Sequence, residues 1–171
     1  MKNHRLVTWL FLGLLVLPGL MGAEETDSTQ YMEMPGHYEA IRLALLADSM
    51  EGVANHARAL AEQASSLRQN VAADLAGVSG HDLEDYLIAL GEIESSARQL
   101  ADFADLESAR EEFFVLTRPM AKYRKLAGDE DTIVAYCSMA QKAWIQPEGD
   151  IGNPYMGQKM PKCCEVVGEI N

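Results

Sequence analysis

Sulfur-bearing side chains are concentrated in the last 35 residues of this 171-residue chain. All three cysteines lie there, each close to a methionine, in the segments 136–139 and 160–164. Thiolate and thioether sulfurs are soft ligands that favour Cu(I) over hard cations. A Cys-x-Met segment facing a Met-x-x-Cys segment therefore predicts a copper site with four sulfur ligands, which are Cys137, Met139, Met160 and Cys163.

The same cysteines allow a second interpretation, because thiols in an oxidising compartment readily form disulfides. Cys137 and Cys163 are 26 residues apart, and closing a loop of that size stabilises a fold by roughly 3 to 4 kcal/mol. Three cysteines allow three pairings and leave one thiol over. A disulfide needs Met139 and Met160 only for packing, whereas a Cu(I) site binds through their thioethers. The sequence leaves both interpretations open.

A second group of candidate ligands precedes the first predicted helix. Met32, Met34 and His37 place two thioethers and one imidazole within six residues. This set suits weak binding of Cu(I) or Cu(II), although methionines this close are also common by chance. His56 and His81 have no cysteine or second histidine at ligand spacing, and we interpret them as surface or capping residues.

The N-terminal sequence predicts export to the periplasm. Basic residues precede an apolar run from Leu6 to Met21, and the small residues Gly22 and Ala23 follow it. This order is typical of a secretory signal peptide, here residues 1–23, and the apolar run is short for a membrane span. We expect no stable membrane span after cleavage. Met21 stands where a small residue is usual, so an uncleaved anchor is the alternative.

Charge and motifs exclude several classes of function. The formal net charge is −12, and a chain this acidic repels nucleic acid. The sequence has no Cys-x-x-Cys pair, no haem-attachment motif, no Gly-rich phosphate loop and no Gly-x-Ser-x-Gly elbow. We therefore expect neither a nucleic-acid partner nor an enzyme.

Apolar residues that recur at three and four positions predict helices in the central part of the chain. Asp48 and Glu51 resemble a capping box for the second helix, and Asp105 is placed to cap the fourth. Short connections between long helices favour antiparallel neighbours. The predicted helices lie near residues 38–47, 49–77, 82–104 and 106–127, and their predicted shared core includes Leu60, Leu67, Leu87, Leu90 and Phe113.

The predicted fold is all-α, an up-and-down helical bundle with a loop-rich C-terminal tail docked on it. A flexible arm over residues 24–36 precedes the bundle, which covers residues 37–128. The tail, residues 129–171, belongs to the same domain, and its many glycines and prolines argue against another long helix. Residues 132–136 are β-prone, but we expect no sheet of more than two short strands. The predicted docking residues are Trp144, Ile151, Tyr155, Val166 and Val167.

The tail resembles a known family in several short segments. These are Tyr-Cys-Ser-Met-Ala at 136–140, Trp-Ile-Gln at 144–146, Ile-Gly-Asn-Pro-Tyr-Met-Gly at 151–157 and Met-Pro-Lys-Cys at 160–163. They are similar to the pattern C-P-M-A, W-L, I-x-N-P-Y-Y-G and M-x-x-C-G of DUF 3347, an uncharacterised bacterial periplasmic domain. Tyr38 with Ile41, Asp48, and Arg110 with Phe113 also fit its helical part, so the resemblance covers most of the exported chain.

The resemblance implies a role in heavy-metal handling. Members of the family occur alone and fused behind periplasmic adaptor proteins of copper and silver efflux systems, which implies such an adaptor or another periplasmic protein as partner. The four predicted sulfur ligands match the family's sulfur residues by position. Ser138 replaces the usual Pro and Cys164 the usual Gly, which leaves open whether Cys163 or Cys164 is the ligand.

These observations predict a periplasmic module that binds a soft metal, with copper as the expected ion, or that assists metal efflux. Cys and Met sulfur would be its ligands. The alternative is a disulfide-stabilised helical interaction domain that binds a protein partner and no metal.

Overall fold

The computed structural model describes residues 33–70, 78, 80–128, 132–168 and 170. The predicted signal peptide, most of the predicted arm and Met32 lie outside these residues. Within them the chain forms four α-helices followed by three β-strands and a short 3-10 turn at Gly157–Lys159. The elements are α1 (Met34–Leu46), α2 (Val53–Gln69), α3 (Leu83–Asp102), α4 (Leu106–Leu126), β1 (Thr132–Cys137), β2 (Lys142–Pro147) and β3 (Glu165–Val167).

The prediction of an all-α fold is wrong, because the C-terminal segment forms a three-stranded antiparallel sheet in the order β2-β1-β3. Cys137 at the end of β1 lies opposite Lys142 in β2, and Tyr136 lies opposite Glu165 in β3. Gln141, at φ 55°, lies in the turn that reverses the chain between β1 and β2. The breaker residues therefore separate short strands, whose ladders satisfy backbone groups that a docked loop would leave unpaired.

One of the two predicted helix caps is present in the structure. The Asp105 carboxylate accepts a hydrogen bond from the Ser108 N–H at 2.9 Å, which confirms the predicted cap of α4. The prediction that Asp48 and Glu51 form a capping box for α2 is wrong, because Gly52 is the residue before that helix and no side chain caps it. α1 begins at Met34, with a proline in the first turn, where proline is well tolerated.

One hydrophobic core is shared by the helices and the sheet. Leu60, Leu90 and Phe113 are fully buried in it, and Leu67 packs at its edge. Leu87 is only partly buried, because α3 turns its Tyr86 face inward. The sheet contributes the largest fully buried side chain of the described residues, Trp144, together with Ala135 and Ile145.

The docking of the C-terminal segment agrees with the sequence at most of the predicted positions. Trp144 and Tyr155 are buried, and Ile151 packs against the core. Val166, in contrast, is 58% exposed, although it lies opposite the buried Ala135, because β3 is at the edge of the sheet. Among the described residues, no helix is long and apolar enough to cross a membrane.

Candidate functional site

The structure brings two cysteines together at one end of the sheet. Cys137 is the last residue of β1, and Cys163 lies two residues before β3. Because these strands pair antiparallel, Cys137 and Cys163 meet although they are 26 positions apart in the sequence, and their two sulfur atoms lie 3.5 Å apart. All three cysteines are free thiols. The predicted approach of Cys137 and Cys163 is therefore confirmed.

The two thiols of this pair differ in their acidity. Burial of the Cys137 side chain opposes its ionisation, but several donors outweigh that effect and lower its pKa: the Ala140 N–H, the Cys163 thiol, the Asn153 side chain and the Met139 backbone. The Ala140 nitrogen lies 3.4 Å from the sulfur. The hydrogen bond to Cys137 raises the pKa of Cys163, and burial adds to that shift. Cys137 is therefore the more acidic of the two thiols.

The third cysteine is directed differently. Cys164 is partly buried, and its sulfur lies 3.7 Å from the carbonyl oxygen of Lys162. Burial raises its pKa, and the nearby charge of Cys137 acts in the same direction. Cys163 is thus the cysteine in contact with Cys137, while Cys164 is a neighbouring thiol in its neutral form.

Asn153 holds the segment that carries Cys163. Its side chain is fully buried and donates to the carbonyl oxygen of Cys163 at 2.8 Å. Its amide oxygen accepts from the N–H groups of Tyr155 and Met156 at 2.9 and 3.2 Å, and its own N–H donates to Pro161 at 2.8 Å. The sequence marks a turn at Asn153, since an Asn-Pro dipeptide is a turn signal, but sequence reasoning gave this side chain no role at the site.

The two predicted methionine ligands are placed less favourably than the cysteines. Met139 lies in the turn after β1, and its side chain is 62% exposed. Met160 is partly buried, and its carbonyl oxygen accepts from the Cys163 N–H at 3.2 Å. Of the four predicted ligands, the structure therefore brings together two sulfurs, while metal binding by all four is still a prediction.

The residues of the predicted secondary site also take different positions. Met34 is buried in the core, and Met32 lies outside the described residues. His37 is fully buried, and its Nδ1 atom lies 3.0 Å from Nδ1 of His56. Sequence reasoning missed this pair because the two histidines lie on different helices, 19 residues apart. His81 is exposed in the turn before α3.

The separation of the cysteine sulfurs suits either chelation or oxidation. Two thiolates bound at about 2.3 Å to one tetrahedral ion lie roughly 3.8 Å apart, whereas a disulfide bond is about 2.05 Å long. The observed 3.5 Å is closer to the first geometry, and a small opening of the pair would admit an ion. Within the part of the chain that the structure describes, no group of three or more His, Cys, Asp or Glu residues is arranged to hold a metal.

No protein-family model, no curated protein and no solved structure matches this chain. The resemblance to DUF 3347 therefore stays a prediction.

Proposed function

We propose that this chain is an exported module that binds a soft metal ion, with Cu(I) as the expected ion, through the thiolates of Cys137 and Cys163. One observation carries the proposal: the sulfur atoms of Cys137 and Cys163 lie 3.5 Å apart. Hydrogen bonds that lower the pKa of Cys137 support it. Thiolates are the ligands that soft ions prefer, and a metal ion replaces the proton that the pair shares. The chain acts in this proposal as a binding module and not as an enzyme.

A third sulfur ligand is available beside the pair. Met139 follows Cys137 by two residues, and its exposed side chain can adopt other rotamers without displacing the core. Near the other cysteine of the pair, Met160 precedes Cys163 by three residues and Cys164 follows it directly. The proposed site therefore begins as two thiolates and is completed by a side chain that moves when the ion binds.

The cellular role in this proposal is that of a periplasmic accessory to metal efflux. The signal-like N-terminus, the resemblance to DUF 3347 and the net charge of −12 support it, since acidic proteins attract cations. A metal-efflux adaptor or another periplasmic protein would be the partner. We propose no nucleic-acid partner and no stable membrane span after signal cleavage.

The proposal is tested by a competition titration with a Cu(I) chelator on reduced protein. Cys137→Ser and Cys163→Ser should each weaken Cu(I) binding at least tenfold, because each removes one of two thiolate ligands. Cys164→Ser is the matched control and should bind like the wild type or nearly so. The double variant Met139→Leu with Met160→Leu keeps apolar volume and tests the thioethers separately. Equal, weak binding by all of these proteins would reject the proposal.

A disulfide-stabilised interaction domain is the second candidate, because a thiolate in contact with a thiol is readily oxidised. It predicts no Cu(I) binding beyond that of Cys137→Ser, and a melting temperature that falls when the oxidised protein is reduced. Melting curves with and without reductant, recorded on the same samples, separate the two candidates.

A further inference from the structure

A pair of imidazoles joins α1 to α2, far along the sequence from the cysteines. Nδ1 of His37 lies 3.0 Å from Nδ1 of His56, and the ring centroids are 5.4 Å apart at an interplanar angle of 49°. His37 is fully buried, whereas His56 is partly exposed. One ring is thus fixed by the core, and the other has an edge accessible from solvent.

The separation of the two nitrogens suits a chelated ion. Imidazole nitrogens bind zinc at about 2.0 to 2.1 Å, so two of them on one ion lie roughly 2.9 Å apart at a right angle and 3.3 Å apart at the tetrahedral angle. The observed 3.0 Å lies within that range. The distance therefore suits two nitrogens on one ion, and the partly exposed His56 ring would turn so that both lone pairs point at that ion.

Gln63 supplies the group that a metal-bound His37 needs on its other side. The amide nitrogen of Gln63 lies 3.3 Å from Nε2 of His37, which places the amide within hydrogen-bonding range of that ring nitrogen. If an ion takes Nδ1, the ring proton moves to Nε2, and a rotated Gln63 amide presents its oxygen to accept it. Histidine ligands are commonly oriented by such a hydrogen bond from the second ring nitrogen.

We propose that His37 and His56 form a second metal site, distinct from the cysteine pair, which takes a divalent ion of the imidazole-binding class such as Zn²⁺. Both imidazoles bind through Nδ1, Gln63 orients His37, and water fills the remaining positions on the solvent side of His56. Neutral imidazole favours Zn²⁺, Ni²⁺ and Cu²⁺ over Ca²⁺ and Mg²⁺. The site does not depend on the proposed Cu(I) function.

The test is a Zn²⁺ titration of the full chain, followed by NMR of the histidine ring nitrogens. The signals of His37 and His56 should shift together, with those of His81 unchanged. The experiment is repeated on the double variant Cys137→Ser with Cys163→Ser, in which these shifts should persist. The measurement on this double variant distinguishes failure of the histidine site from failure of the cysteine site.

A variant pair gives the second measurement. His56→Gln should weaken the Zn²⁺ affinity measured in the cysteine-free background at least tenfold, whereas the exposed control His81→Gln should leave it unchanged. Thermal unfolding of each variant verifies that the fold is kept, and the wild-type NMR titration needs no substitution. Unshifted His37 and His56 signals at saturating Zn²⁺, or equal affinity in His56→Gln, would show that the pair is only an imidazole–imidazole hydrogen bond.

Discussion

At the scale of single residues, Asn153 illustrates how a polar side chain positions the sulfur site. It is fully buried, and its amide satisfies two backbone N–H groups and the carbonyl oxygen of Cys163 at once. A buried polar group left without a partner costs about 1 to 3 kcal/mol. Asn153 therefore stabilises its turn and sets the position of Cys163 through the same contacts.

We expect Asn153→Ala to lower the free energy of unfolding by about 2 to 4 kcal/mol, because it leaves several buried backbone groups unsatisfied. Urea denaturation measures this loss. Cu(I) affinity should fall as well, since the backbone of Cys163 loses its hydrogen bond to the amide. The exposed Asn55 in α2 provides the control, and Asn55→Ala should stay within about 0.5 kcal/mol of the wild type. A similar loss in both variants would contradict the role assigned to Asn153.

At the scale of secondary-structure elements, an ion pair fastens the C-terminal segment to the helices. Asp48, in the connection between α1 and α2, contacts the Arg110 guanidinium of α4 at 2.5 Å and accepts from the Gln158 N–H at 3.1 Å. Arg110 also donates to the carbonyl oxygen of Pro154 at 2.7 Å. Gly157 has φ +52°, and a Cβ there would overlap Asp48 and Arg110, so the close approach requires glycine.

A second arginine makes the same kind of connection. Arg42 of α1 donates to Glu39 through two hydrogen bonds of 2.6 and 2.7 Å, and to the carbonyl oxygen of Gly152 at 2.7 Å. Arg42 is almost fully buried, where an unpaired charge would be costly, and the Glu39 carboxylate balances its charge. The loop between β2 and β3 is therefore held by polar contacts from α1 and α4, and not by apolar packing alone.

The Asp48 contacts predict a pH dependence of stability. The hydrogen bond from Arg110, and then that from the Gln158 N–H, lower the pKa of Asp48 in the folded state. Its contribution is therefore fully present above the unfolded-state pKa of about 3.9, and it is lost as the pH falls through the lower folded-state pKa. Asp48→Asn should melt below the wild type at neutral pH, and the difference should vanish in acid.

The measurement is the melting temperature as a function of pH. Asp150→Asn is the control, because Asp150 is fully exposed and its nearest cation, Lys162, is 3.7 Å away. Its melting temperature should follow that of the wild type across the range. A difference between Asp48→Asn and the wild type that is constant with pH would refute the charge-based explanation.

At the scale of the whole molecule, the bundle and the sheet pack around one shared core. Tyr38 of α1 stacks on Phe113 of α4 at 4.7 Å between ring centroids, and its hydroxyl lies 2.7 Å from that of Thr117. The Ile145 N–H of β2 donates to the same hydroxyl at 3.4 Å. Burial raises the pKa of Tyr38 above its ordinary value, so this hydroxyl stays neutral. Helices and sheet therefore share both apolar packing and a buried polar contact.

We expect a chain truncated after residue 128 to lose cooperative thermal unfolding, because removal of β2 uncovers Tyr38 and Phe113 and leaves Arg42 without its carbonyl partner. Far-UV circular dichroism should still report helix, while near-UV signals and a sharp transition should be absent. The full chain with Cys164→Ser is the control and should melt cooperatively. A truncated chain with a sharp transition close to that of the full chain would show that the bundle is independent.

Much of the helical part of this fold was predictable because its signals are local. Side chains three and four residues apart lie on one face of a helix, so the spacing of Leu60 and Leu67 in α2 and of Phe113 and Leu116 in α4 reports burial directly. Leu87 departs from its predicted place because Tyr86, one residue away, provides more apolar surface for the same core. Which of two neighbouring residues is buried depends on the space that the facing helices leave in the core.

The sequence by itself indicated the four helices, the cap at Asp105 and the place of Cys137 in the candidate site, since residue type and short-range spacing specify them. Only the tertiary structure decided that the C-terminal segment forms a sheet, because strand pairing joins residues distant in sequence, such as Tyr136 and Glu165. The same holds for the choice of Cys163 over Cys164 as the neighbour of Cys137, and for the pairing of two histidines on separate helices. Such contacts depend on how elements pack, which no local spacing encodes.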